Sequence, residues 1–278
     1  MSTTAGRRFV GTAVVVAGLV LAGCAGGNVG VQDAALAKVR QIPDDAWKAL
    51  SSKRIYFGHQ SVGEEVMDGV AKLATARGGA PLHVAPFKDF AEPGFTHAPN
   101  GTNKAPLTKI EAFRKFVSAP EAASADIAFF KFCYVDIKRE TDVDALFESY
   151  RTAMAELRTQ FPNVTFVHVT APLTTVQSGW KVLVKKVLRK PQYDWMENAR
   201  RAEFNEKIRH EYAGREPVFD IATVEATLAD GSATTFTLEG RTYPSLVPAY
   251  SYDGRHLDED GRVWVAAHLL ETLAAIRN

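Results

Sequence analysis

Residues 54–63 read Arg-Ile-Tyr-Phe-Gly-His-Gln-Ser-Val-Gly, and this stretch decides the fold. A strand-like apolar run at 54–57 is followed by a helix-like run at 62–76, so Ser61 stands at a strand-to-helix turn. The first N–H groups of a helix are free and lie at the positive end of its dipole, where they stabilise negative charge. Ser61 is therefore a candidate nucleophile beside an oxyanion site. The alternative is a serine that only caps the helix.

A second segment, Asp253-Gly254-Arg255-His256-Leu257, lies just ahead of a helical pattern at 261–276. It places an aspartate three residues before a histidine. Together with Ser61, these residues supply the nucleophile, the base and the base-orienting carboxylate of a hydrolytic serine enzyme. The Asp-x-x-His spacing is weak evidence alone, and its position before a terminal helix strengthens it.

Between these two segments, runs typical of strands alternate with runs typical of helices. Strands are predicted at 54–57, 82–87, 127–133, 164–170 and 217–221, and helices at 62–76, 107–117, 143–161, 195–212 and 261–276. This alternation predicts an α/β fold with a parallel sheet covered by helices on both faces. A small added hairpin is predicted at 234–242, with Glu239-Gly240 at its turn. The chain shows no linker that would divide it.

The N-terminal residues predict an exported protein. Arg7-Arg8 precede an apolar run at 10–20, which is shorter than the roughly 18–20 residues that span a bilayer. A charged start, a short apolar stretch and a small-residue end define a secretory signal peptide. The tetrad Leu21-Ala22-Gly23-Cys24 resembles the lipobox of bacterial lipoproteins, in which the cysteine becomes the lipidated N-terminus. The alternative is an ordinary signal peptide with a chance cysteine.

Composition narrows the function classes further. The net charge is +1, and no basic patch with interleaved aromatic residues is present, so we expect no nucleic-acid partner. Once Cys24 is lipidated, Cys133 remains alone, and an intrachain disulfide is excluded. Cys133 lies in an apolar run and is interpreted as a buried structural thiol. Because no His, Cys and Asp residues show metal-ligand spacing, we expect no metal and no cofactor.

The segment Gly58-His59-Gln60-Ser61 resembles the first block of the SGNH/GDSL hydrolase superfamily, and Asp253-x-x-His256 resembles its last block. The resemblance covers roughly residues 53–275 in order and spacing. It implies a three-layer, flavodoxin-like fold with a central parallel sheet of about five strands. It also implies acyl transfer to water, with Ser61 as nucleophile, His256 as base and Asp253 as its orienting partner.

The same resemblance implies an oxyanion hole that contains the Ser61 N–H. The family's second block adds a glycine N–H, and its best match is Gly101 in Asn100-Gly101-Thr102-Asn103. The third block is usually Gly-x-Asn-Asp, whereas this chain has Cys133-Tyr134-Val135-Asp136, with Val135 in place of the asparagine. Asn103 is our candidate for the missing amide donor; an ordinary loop asparagine is the alternative.

The first block departs from the family as well, since His59-Gln60 stand in place of its aspartate. The chain is therefore expected to be a divergent member. Four residues are candidates for lining the site: His59, Gln60, Tyr134 and Asp136.

Taken together, the sequence predicts three segments: a signal peptide at 1–23, a tether and N-terminal segment at 24–50, and a hydrolase domain at 51–278. We expect an esterase of the bacterial cell envelope, anchored by lipid at Cys24 and facing the periplasm or the exterior. Its expected partner is an ester substrate. Acetyl esters on glycans are the expected class, because a protein of the cell envelope meets O-acetylated glycans. The alternatives are an acyltransferase that uses the same triad and a non-catalytic glycan-binding lipoprotein on the same scaffold.

Overall fold

A parallel sheet of five strands lies at the centre of the computed structural model, which describes Met1, residues 30–177 and residues 193–276. The strands follow the spatial order β2-β3-β1-β4-β5. Their bounds are β1 Arg54–His59, β2 Val84–Pro86, β3 Gly94–Pro99, β4 Ile127–Phe130 and β5 Thr165–Phe166. Two further short strands, β6 His168–Val169 and β7 Val218–Phe219, pair in parallel.

β5 and β6 are two halves of one strand, because only Val167 separates them. The Val167 N–H donates to the Ala128 carbonyl of β4 at 3.3 Å, so the ladder continues across the break. The main strands therefore follow the order β3-β1-β4-β5/β6-β7, with β2 added at the edge beside β3. This is the flavodoxin-like order, in which ligands bind at the carboxyl ends of the strands.

Helices cover both faces of the sheet, and each face has its own apolar core. One face carries α1 Val31–Arg40, α2 Asp44–Ser51, α3 Ser61–Arg77, α7 Ile221–Glu225 and α8 Glu259–Ala274. The other carries α4 Pro106–Val117, α5 Val143–Gln160 and α6 Tyr193–Tyr212. Single 3₁₀ turns occur at Pro120–Ala122 and Pro248–Tyr250. The predicted α/β class, with a five-stranded parallel sheet between helical layers, is confirmed.

The N-terminal helices pack into the first of these cores. Ala35 and Val39 of α1 are fully buried, and Trp47 of α2 donates its indole N–H to the Ala80 carbonyl at 2.8 Å. The sequence assigned this region to the tether and N-terminal segment at 24–50. In the structure, its described residues pack in the same unit as the residues that follow.

Three strands differ from the prediction. β3 was not predicted, and the predicted strand at 82–87 is reduced to β2 at the sheet edge. The buried strand predicted at 127–133 ends as β4 at Phe130, after which the chain turns. The hairpin forms as predicted, with β8 Thr235–Leu238 and β9 Arg241–Pro244 joined by a two-residue turn.

No helix in the described part of the chain is long and apolar enough to cross a membrane. Cys24 and the signal peptide lie outside the described residues. Cys133 is a buried free thiol in the loop after β4.

Candidate active site

Ser61 is the first residue of α3 and is exposed at the carboxyl end of β1. Gln60 precedes it in an extended conformation, and its side-chain amide donates to the Gly101 carbonyl at 2.8 Å. The turn that carries Ser61 is therefore fixed to the loop that follows β3. Gln60, a candidate for lining the site, therefore joins these two loops. Its position in the sequence did not indicate this role.

The Asp253–His256 pair forms in the structure. His256 Nδ1 lies 2.8 Å from Asp253 Oδ2, and Asp253 Oδ1 accepts the backbone N–H groups of Arg255 and His256 at 2.8 and 2.7 Å. Although partial burial works to raise the pKa of Asp253, these hydrogen bonds outweigh it and lower that pKa. An ionised carboxylate on Nδ1 leaves Nε2 as the imidazole nitrogen that can accept a proton.

The loop that carries His256 is docked on α3, the helix that Ser61 begins. Glu65 lies one turn after Ser61, and its Oε2 accepts the Leu257 N–H at 2.8 Å. The ring of Tyr134 meets the imidazole of His256 edge-on, with centroids 5.8 Å apart. Ser61, Asp253, His256 and Tyr134 are thus brought to the same end of the sheet.

The predicted hydrogen bond between Ser61 and His256 is not formed in the structure. Within the described residues, no hydrogen bond joins Ser61 Oγ to His256 Nε2. Catalytic hydrogen bonds are often long before substrate binds. Direct contact between these two atoms stays a prediction.

A buried ion pair organises the other side of the site. Lys109 Nζ lies 2.9 Å from Asp136 Oδ2, and both side chains are fully buried. Asp136 also accepts the backbone N–H groups of Lys104 at 2.8 Å and Cys133 at 2.7 Å. Asp136, a candidate for lining the site, therefore ties together the loops after β3 and β4.

The same lysine orients Asn103. Lys109 Nζ donates to Asn103 Oδ1 at 2.9 Å, so the opposite end of that amide, Nδ2, is left to donate elsewhere. Asn103 itself is exposed. Gly101 in the same loop has φ of 62°, and a Cβ there would lie only 2.6 Å from the Lys109 Cα. This close approach requires glycine and fixes the loop against α4.

His59 takes a different position from the one expected of a residue that lines the site. It is 1% exposed, and its Nε2 lies 2.9 Å from Nδ1 of His97 on β3. Burial, with the nearby charge of Lys131 and with His97, lowers the pKa of His59 to about 3. His59 is therefore a neutral imidazole at physiological pH.

A cleft of about 550 Å³ opens beside the Asp253–His256 loop. Its walls include Tyr134 and Val135 after β4 and Asp253 of the pair, together with the polar residues Lys104, Lys138, Thr174, Thr175, Gln177 and Glu197. Its size suits a small or medium-sized ligand. Arg201, fully buried, supports this wall by donating to the Tyr134 carbonyl at 2.8 Å.

Sequence reasoning did not place Glu65, His97, Lys109 and Glu225 among the site residues. The first three organise the site, yet Glu65 and Lys109 lie within helices, where glutamate and lysine are usually solvated. Only the packing of those helices shows that they are buried. His97 was not placed beside His59 because β3 was not predicted, and only the register of β1 and β3 shows that the two residues are neighbours.

No protein-family model matches this chain, and no curated protein matches it. Solved structures with a similar fold include a lipase/acylhydrolase from Enterococcus faecalis, with a TM-score of 0.44 and 14% identity over 80% of this chain and 95% of that one. A family 3 carbohydrate esterase from Clostridium thermocellum has a TM-score of 0.42 and 14% identity over 80% and 99% of the two chains.

The CTD of the Drosophila Oskar protein has a TM-score of 0.40 and 15% identity over 83% of this chain and 95% of that one. With TM-scores below 0.5, these similarities carry no argument about activity.

Glu225 is a buried carboxyl whose ionisation opposes folding. It is 1% exposed, accepts the Leu173 N–H at 2.6 Å, and burial raises its pKa to about 8. In the unfolded chain the group ionises near pH 4.5. Its stabilising contribution is therefore complete below about pH 4.5 and is lost as the pH rises towards 8.

We predict that Glu225→Gln removes this pH dependence. Between about pH 5 and pH 8, the wild-type free energy of unfolding should fall relative to that of the variant by roughly 1.4 kcal/mol per pH unit, the linkage for one proton. Urea unfolding of both proteins at several pH values measures the difference. Glu92→Gln, at an exposed glutamate, is the control and should parallel the wild type. Parallel curves for wild type and Glu225→Gln would show that Glu225 is ionised in the fold.

Proposed function

We propose that this chain is a serine carboxylic ester hydrolase of the SGNH type. The observation that carries the proposal is the Asp253–His256 pair, 2.8 Å between Oδ2 and Nδ1, on a loop hydrogen-bonded to the helix that begins with Ser61. An imidazole oriented by a carboxylate near an exposed serine at a helix N-terminus is the arrangement that activates a serine for acyl transfer.

The proposed reaction has two halves. Ser61 Oγ attacks the ester carbonyl carbon while His256 Nε2 accepts the hydroxyl proton, and the alcohol then leaves with that proton. Water next attacks the Ser61 acyl ester, again losing its proton to His256, and the acid is released as Ser61 regains its proton. Asp253 remains ionised throughout and stabilises the imidazolium that forms in each half.

The oxyanion hole in this proposal uses the N–H groups of Ser61 and Gly101 and the side-chain amide of Asn103. Val135 leaves no amide at the position where the family's third block has asparagine. The Lys109–Asn103 hydrogen bond supports Asn103 as the replacement, because it fixes the carbonyl end of the amide and frees the donating end. Donors held in place before the reaction stabilise the developing charge without the cost of reorientation.

We further propose that the ester is an acetyl ester on a glycan and that the enzyme is a lipid-anchored envelope protein. The polar side chains of the 550 Å³ cleft, which include Thr174, Gln177 and Glu197, are suited to hydroxyl-rich alcohols. The anchor rests on the Leu-Ala-Gly-Cys24 tetrad of the sequence.

A non-catalytic glycan-binding protein is the second candidate, favoured by Val135 at the family's asparagine position. An acyltransferase would form the same acyl-enzyme and pass the acyl group to a sugar hydroxyl. Labelling by a fluorophosphonate probe separates the binding protein from both enzymes. Acylated sugar among the products separates the transferase from the hydrolase.

We predict that Ser61→Ala and His256→Ala each lower kcat on a short-chain aryl ester by about 10³-fold or more, and that the double variant loses little beyond either single variant. Ser118→Ala, at an exposed serine after α4, is the matched control and should keep full activity and labelling. Undiminished hydrolysis by purified Ser61→Ala would refute the proposed mechanism. A wild type that neither hydrolyses a wide panel of esters nor reacts with the probe would favour the binding protein.

Asn103→Ala should lower kcat by about 10²-fold, the magnitude typical of one oxyanion-hole donor. KM should change little, since the developing oxyanion exists only in the transition state. Asn163→Ala, at an exposed asparagine after α5, is the matched control. A full kcat in Asn103→Ala, together with the expected losses at Ser61 and His256, would keep the hydrolase and exclude Asn103 from the oxyanion hole.

Cys24→Ser should release the protein into the soluble fraction or leave an unprocessed precursor, because serine cannot carry the thioether-linked lipid. Hydrolysis by the released protein should equal that of the wild type, since Cys24 precedes the helices that pack into the core. Cell fractionation and the electrophoretic mobility of the processed chain measure the outcome. Unchanged fractionation and processing would contradict the lipid anchor.

A further inference from the structure

Three side chains with metal-binding atoms converge beside the turn that carries Ser61. His59 Nε2 and His97 Nδ1 lie 2.9 Å apart, and Glu64 Oε2 lies 3.8 Å from the first and 3.5 Å from the second. The two histidines are buried, whereas Glu64 is largely exposed at the edge of the cluster. Two imidazoles and a carboxylate are a common ligand set for zinc.

The fold brings His97 to His59 and Glu64, which are five residues apart in the sequence. In the parallel ladder, Phe57 of β1 pairs with His97 of β3, so His59 and His97 lie on the same face of the sheet. α3 covers that face and contributes Glu64 from its first turn. Because His97 lies on a different strand from His59, the spacing of these residues in the sequence gave no indication of a metal site.

Gly63 allows the imidazole of His59 to lie against α3. A Cβ at Gly63 would be 2.2 Å from the Cβ and 2.4 Å from the Cγ of His59, distances that only glycine avoids. Burial and this contact fix the imidazole before any ligand arrives.

The protonation of His59 suits metal binding. Its Nδ1 lies 3.1 Å from the Gln60 carbonyl, which can only accept, so Nδ1 carries the proton and Nε2 presents its lone pair towards His97 and Glu64. Metal-bound histidines usually donate their second ring N–H to a carbonyl or carboxylate in this way. His97 Nδ1 donates its proton to His59 Nε2 without metal and would bind the ion once that proton has moved to its own Nε2, while Glu64 would bind through Oε2.

We propose that His59, Glu64 and His97 form a binding site for a divalent transition-metal ion of the zinc class, with a fourth position open to water. Ligand atoms about 2.0–2.2 Å from a tetrahedral zinc ion are about 3.4 Å apart. The distances to Glu64 of 3.5 and 3.8 Å are close to this spacing, and the two imidazole nitrogens, 2.9 Å apart, would separate by roughly 0.5 Å when the ion binds. The exposed Glu64 side chain can move to close the remaining gap. The proposal is independent of the esterase assignment.

A metal ion in this site would tie β1 and the start of α3 to β3. Ser61 lies between His59 and Glu64 in the sequence. One ion would therefore hold a residue on each side of Ser61. We therefore expect the ion to raise the thermal stability of the protein and to reduce hydrogen exchange in this turn.

Cobalt titration tests the site directly. The full chain, purified without a polyhistidine tag and stripped with a chelator, is titrated with Co²⁺, whose visible absorption reports coordination by protein ligands. We expect one equivalent to bind, zinc to displace it, and zinc to raise Tm. His97→Gln and Glu64→Gln should each weaken binding by about 10-fold or more. His83→Gln and Glu92→Gln, at exposed residues, are matched controls and should bind as the wild type does.

Glu64→Gln keeps the test decisive if the buried His97 variant fails to fold, because Glu64 is 60% exposed. Wild type that binds no Co²⁺ or Zn²⁺ at millimolar concentration would overturn the proposal. Equal binding by wild type and Glu64→Gln would also overturn it. Ser61→Ala should bind cobalt as the wild type does, so a failure of the esterase proposal is distinguishable from a failure of the metal site.

Discussion

The buried ion pair between Lys109 and Asp136 is the interaction on which the rest of the site depends. Removing two charges from water is costly, and the cost is offset only where the remaining donors and acceptors are satisfied. Here the ammonium contacts Asp136, Asn103 and Cys133, one partner for each of its protons. The carboxylate accepts two backbone N–H groups besides the lysine. Loss of either partner would leave a buried charge unpaired and release the loops after β3 and β4 together.

Buried carboxyl groups that accept backbone N–H groups recur around the carboxyl ends of the strands. Asp136 accepts the Cys133 N–H, Glu65 the Leu257 N–H, and Glu225 the Leu173 N–H, each at 2.8 Å or less. Each bond satisfies a loop amide that burial would otherwise leave without a partner. Three carboxyl groups thus fix loops from three regions of the chain, and the exposed groups of the site are held by these contacts rather than by the short strands alone.

Local patterns in the sequence were enough for the fold class and for the Asp253–His256 contact. β1 and β4 are apolar runs, and an aspartate three residues from a histidine can meet it within one turn. β3 reads Gly-Phe-Thr-His-Ala-Pro, which has no apolar run and is bounded by glycine and proline, so it was not predicted. Without it, the neighbours of His97 and the true strand before Asn100 could not be inferred. The burial of Lys109 depends on helix packing, which residue type does not encode.

The two residues before Ser61 share one physical role. Gln60 donates to the Gly101 carbonyl in the loop after β3, and His59 contacts His97 on β3. A charged aspartate at this turn would have to be solvated or paired, whereas the Gln60 amide and the neutral His59 imidazole each reach a polar partner without carrying a net charge. The turn that presents Ser61 is therefore held to β3 and to the loop that follows β3 by two neutral contacts. His59 is also one of the two imidazoles within reach of Glu64, so a residue that helps to fix the serine turn is also a ligand of the proposed metal site.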